Sequence, residues 1–112
     1  MKHIKIETNE DSIILIDDYI KAKVSGIEYS FFKDEVEKIV ILTTDMGPFY
    51  DDMGLAVDVG NDTAIFIMSE HRCYKSFLFD QIAKVFPIDY QKIIDASICT
   101  EKNVFEIYKR NK

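Results

Sequence analysis

Before residue 70 the chain alternates apolar and polar side chains, and period-two alternation predicts strands, whose successive side chains point to opposite faces. In HIKIE, Ile4 and Ile6 alternate with His3, Lys5 and Glu7; the polar NEDS and the apolar IILI that follow predict a hairpin. In YIKAKV, Ile20, Ala22 and Val24 oppose Lys21 and Lys23. Ser25-Gly26 supplies a tight turn, and the chain returns as IEYSF with Ile27, Tyr29 and Phe31 in phase. A short turn around Lys33 to Glu35 precedes a strand from about Glu37 to Thr44. Its unbroken run Ile39 to Leu42 predicts burial on both faces, as in a central strand covered by a helix. LAVDVG and TAIFIM flank Asn61-Asp62 as a further hairpin.

After residue 70 the period changes. Tyr74, Phe77, Leu78, Ile82, Val85 and Phe86 follow steps of three and four, which predicts one amphipathic helix from about Arg72 to Phe86, stopped by Pro87. Asp89 is placed to cap a second helix through Ser97, and NVFEIYK reads as a closing strand. The pattern therefore predicts an α+β fold over residues 1–112 as a single domain. Its parts are a mostly antiparallel, bent sheet packed by a long amphipathic helix, a second short helix and a C-terminal strand.

Length and composition agree with one core: 112 residues, 47% hydrophobic and 30% charged, are ordinary for a globular domain. Apolar runs such as Ile13 to Ile16 fall far short of the roughly 20 residues a membrane span requires. Lys2 and Lys5 run straight into Glu7, Glu10 and Asp11 without an apolar signal region, so the protein is expected in the cytoplasm. Cys73 and Cys99 have no CxxC spacing and no adjacent histidine pair; they are expected to be buried, reduced thiols outside any zinc site.

Charge changes the picture more. The net charge of −6 divides unevenly: residues 1–60 hold 13 acids against 6 bases, and residues 61–112 hold 7 against 8. Phosphate backbones are bound through clustered Lys and Arg, so nucleic acid is not an expected partner, and anionic membranes should repel the acidic half. An acidic face instead suits solubility or attraction of a basic protein.

Two resemblances can be placed on particular residues. GIEYSFFKDEVEKIVI, with its aromatic, short acidic turn and apolar strand, resembles bacterial PH-like domains, which implies a strongly bent sheet closed by a helix over residues 1–86. A more local pattern, TTDxGPF followed by acids and then FPxDY, is carried by Thr43, Thr44, Asp45, Gly47, Pro48, Phe49, Asp51, Asp52, Phe86, Pro87, Asp89 and Tyr90. It is similar to small bacterial proteins, some of them taken to be immunity proteins of toxin systems; the resemblance carries no established activity.

The most unusual stretch is TTDMGPFYDDMG, residues 43–54, where Gly47-Pro48 and Gly54 bracket an aromatic pair and an acidic pair. Phe49 and Tyr50 supply contact area for a docking partner, and Asp45, Asp51 and Asp52 supply charge, so these five form the candidate partner-binding site. The same loop aromatics could equally anchor the loop to the sheet. Asp45, Asp51, Asp52 and Asp58 carry hard oxygen ligands, but their spacing matches no EF-hand loop. Ser69-Glu70-His71-Arg72-Cys73 holds acid, base and thiol types together, yet it also suits a strand-to-helix turn in which Ser69 or Glu70 supports the first helical turn. No phosphate loop, GxSxG or HExxH motif occurs.

The expected function is accordingly a non-enzymatic protein-interaction module without cofactor, of immunity type against a basic toxin, with homo-oligomerisation open. The alternatives are a metal-dependent hydrolase using Asp45, Asp51 and Asp52 with His71, and a PH-like ligand- or peptide-binding domain.

Overall fold

The computed structural model describes residues 2–43, 53–99 and 101–110. Strands β1 (Lys2–Ile6), β5 (Lys38–Thr43), β6 (Met53–Asp58), β7 (Thr63–Met68) and β8 (Asn103–Lys109) form one sheet in the order β1-β7-β6-β5-β8. Strands β2 (Ser12–Ile16), β3 (Tyr19–Val24) and β4 (Ile27–Phe32) form a separate antiparallel meander. Every pairing in the large sheet is antiparallel except β1 with β7, which is parallel with Ile4 opposite Ile65 and Ile6 opposite Ile67.

Alternation decides which face each strand buries. Ile4, Ile6, Ile65, Ile67, Leu55, Val57, Ile39 and Ile41 share the inner face of the large sheet. Ile13, Leu15, Ile20 and Ala22 line the buried face of the meander. These residues join Tyr74, Phe77, Leu78, Ile82 and Ile107 in one hydrophobic cluster that draws on both sheets. On β8 the register against β5 shifts between Ile39 and Val40, leaving Ile107 as the extra residue of a bulge. Ile107 is buried, and the neighbouring Tyr108 ring packs 4.9 Å from that of Phe86.

Local chemistry explains the turns. Ser25 and Gly26 have φ of 53° and 82°, the pair of positive values that matches a two-residue hairpin to strand twist. Asn61 and Asp62 take the same left-handed region between β6 and β7. Helix α2 (Tyr90–Ser97) starts where Asp89 Oδ1 accepts the amide hydrogens of Gln91 at 3.1 Å and Lys92 at 3.4 Å.

Four sequence expectations need correction. The fold is mostly β, with eight strands in two sheets among the described residues, not a PH-like bent sheet packed by a long amphipathic helix. The expected helix over Arg72 to Phe86 is replaced by a shorter one, helical from Tyr74, π-wound over Ser76–Ile82 and ending in α1 (Ala83–Val85). Arg72 joins His71 in the turn before it, where His71 was expected: His71 Nε2 lies 2.7 Å from the carbonyl oxygen of Thr8, and Arg72 donates to the carbonyls of Asn9 and Asp11. The apolar stripe still buries Phe77, Leu78, Ile82 and Phe86, whereas Val85 is 43% exposed.

The expected β1–β2 hairpin is likewise absent, because the two strands belong to different sheets. Asp11 redirects the chain between them: its carboxylate accepts the amide hydrogens of Glu7 and Thr8 at 3.0 and 2.9 Å and that of Ser25 at 3.2 Å. Finally, Cys73 and Cys99 are free as expected but only half-buried.

Candidate functional site

The candidate residues Asp45, Phe49, Tyr50, Asp51 and Asp52 lie outside the described residues, but the strand ends that flank them do not. Thr43 closes β5 and Met53 opens β6 directly opposite it. Thr43 is a buried polar residue whose hydroxyl donates to the carbonyl of Glu101 at 2.6 Å, which ties the end of β5 to the segment entering β8. The carbonyl of Met53 accepts the amide hydrogen of Ser69 at 2.9 Å, which ties the start of β6 to the exit of β7. Beside it, a Cβ on Gly54 would stand 3.0 Å from Met68 Sδ, so the glycine leaves room for the Met68 side chain to lie across β6.

At this same end of the sheet β1 delivers exposed Glu7, β7 delivers exposed Glu70, and exposed Glu101 precedes β8. Glu7, Glu70, Asn9 and His71 line an open cleft of about 370 Å³ with Ile6 and Met68 on its wall. Of the nearby bases, Arg72 is committed to the carbonyls of Asn9 and Asp11, while exposed Lys102 adjoins Glu101. The strand ends on either side of residues 44–52 thus share their end of the sheet with Glu7, Glu70 and Glu101.

Asp11 holds the floor of this region in place. The backbone amide hydrogen bonds from Thr8 and Glu7, with a smaller one from Ser25, outweigh the burial that opposes them and lower its carboxyl to about 2. Asp11 was not among the residues picked out as functional from sequence. Its signal, visible in retrospect, is the Thr8-x-x-Asp11 spacing across a polar turn.

Of the acid, base and thiol types in residues 69–73, His71 and Cys73 do come together, but in a structural arrangement. His71 Nδ1 accepts the amide hydrogen of Cys73 at 3.1 Å while Nε2 faces the Thr8 carbonyl, so the backbone occupies both ring nitrogens. The ring is therefore turned to the backbone and not to the Cys73 thiol. Cys73 Sγ instead accepts from Arg72 at 3.3 Å. Among the described residues no three His, Cys, Asp or Glu side chains converge as metal ligands, and no helix is long and apolar enough to cross a membrane.

No protein-family model, curated protein or solved structure matches the chain.

Proposed function

We propose that the protein is an interaction module that binds a basic protein partner at the acidic end of its five-stranded sheet. The observation that carries this reading is the convergence of exposed Glu7, Glu70 and Glu101 on the strand ends joined by the segment containing Asp45, Asp51 and Asp52. Acids gathered at one end of a rigid sheet attract a basic surface at long range, while Phe49 and Tyr50 in the same segment supply apolar contact area. Neutralisation of a basic toxin by an immunity-type protein is the specific form that the TTDxGPF resemblance suggests.

The test is association kinetics with the basic product of a reading frame adjacent to this one. The expected result is an association rate that falls steeply with ionic strength and falls again in the triple variant Asp45→Asn, Asp51→Asn, Asp52→Asn. Association that is indifferent to both salt and the triple variant would refute the acidic end as the docking site.

A further inference from the structure

The five-stranded sheet has a second face, built from the side chains that alternate with the core set. The row across its middle reads Lys5, Phe66, Ala56, Val40, Glu106 from β1 to β8. The next row, toward the acidic end, reads Met68, Gly54, Leu42, Val104. The His3 ring stands edge-on to Phe66 at 5.0 Å, which places it on the same face. None of these residues belongs to the shared core cluster, and α2, which packs beside β5 and β8, gives Ile93 and Ala96 to that cluster instead. Phe66, Val40, Leu42 and Met68 remain half-buried and Val104 is 58% exposed. Among the described residues this face is an apolar band with charge only at its rims.

We propose that this face packs against the same face of a second copy, with a two-fold axis running along β6. The charge pattern selects that occupant. Lys5 lies on one edge strand and Glu106 on the other, in the same row and at equal strand distance from β6. A two-fold along β6 exchanges the edges, so each Lys5 stands over Glu106 of the second copy, and the pair forms twice. Along the rim the same axis sets Asp58 against Asp58 of the second copy, with Lys38 of each copy flanking that like-charge pair on either side.

The centre of the face is small, with Gly54 and Ala56 on β6, which suits the ~10 Å spacing of aligned stacked sheets. Five strands at ~4.8 Å and two or three rows along them give roughly 400 Å² per copy, the low end of specific interfaces, so the dimer should be weak and reversible.

Sedimentation velocity at low salt over a concentration series to about 500 μM should show a monomer–dimer equilibrium that weakens with added salt. Lys5→Glu and Glu106→Lys, each placing like charges together twice, should raise the dissociation constant by about three- to tenfold, and the double variant should recover it. Val104→Glu, at an exposed position that leaves folding intact by circular dichroism, should give monomer. A wild-type chain that stays monomeric throughout overturns the proposal. So does a dimer unmoved by Val104→Glu, or a double variant no better than its parents. These outcomes do not depend on the basic-partner reading, whose site lies at the sheet end and not on this face.

Discussion

Replacing Gln81 by methionine should weaken the protein through a single backbone amide. In the β2–β3 hairpin, Ile16 and Tyr19 flank the turn, and the antiparallel alternation then directs the amide of Leu15 away from β3 toward the open edge of the meander. There the Leu15 amide hydrogen is accepted by Gln81 Oε1 at 2.6 Å, from the π-wound segment. Gln81 Nε2 in turn donates to Ser76 Oγ at 3.2 Å. Methionine keeps the volume and removes the acceptor, leaving a largely covered donor at an edge strand, for which about 1–2 kcal/mol is the expected loss. For a chain of this length that corresponds to about 4–9 °C in melting temperature. Gln81→Glu keeps an acceptor and should stay within about 0.5 kcal/mol of the parent. Thermal melting and amide hydrogen exchange on the same variants measure both effects, with faster exchange at Leu15 expected only in the methionine variant. If Gln81→Met melts with the parent and Leu15 exchanges at the parental rate, solvent already serves that edge and the reasoning fails.

Acid should destabilise the fold through Asp11. Its carboxyl is held at about 2 in the fold against an ordinary 3.8, so its stabilisation is complete above pH 3.8 and drains as pH falls toward 2. Asp11→Asn should lower the melting temperature at neutral pH and flatten that part of the acid profile, followed by circular dichroism. Phe77→Ala, at a side chain with no exposed surface in the core cluster, should cost about 3–5 kcal/mol in urea denaturation. Phe49→Ala with Tyr50→Ala should weaken partner binding far more than it lowers the melting temperature. A large loss of stability with unchanged binding by the folded fraction would assign that pair to the scaffold.

Local signals in the chain carried most of the strands. Alternation around Ile20, Ala22 and Val24, with Ser25-Gly26 behind it, places β3 and β4 in their observed register, because a two-residue turn leaves few alternatives. The Asn61-Asp62 hairpin and the Asp89 cap were legible for the same reason. What alternation cannot express is partnership at a distance: Ile4 and Ile6 read the same whether they meet Ile14 next door or Ile65 and Ile67 far along the chain. The helix was overextended at its start because Arg72 fits a helical solvent face as well as it fits a turn bonded to residues 9 and 11. The candidate site divides similarly. The composition of residues 43–54 drew attention to the loop, but the convergence of Glu7, Glu70 and Glu101 on its strand ends depends on sheet order and has no signature in the sequence.

The parallel pairing of β1 with β7 has a temporal side. Lys2 must wait for Thr63, roughly sixty residues later, and closing so long a loop before any contact forms is entropically unfavourable. The hairpins β2–β3, β3–β4 and β6–β7 need only a few residues each and can form first. During synthesis at about 5–20 residues per second, β1 therefore spends several seconds without its template, with Ile4 and Ile6 open to capture by chaperones or by neighbouring chains. Lys2 and Lys5 flanking those isoleucines act as gatekeepers over that interval, discouraging the nascent strand from stacking with others before β7 emerges.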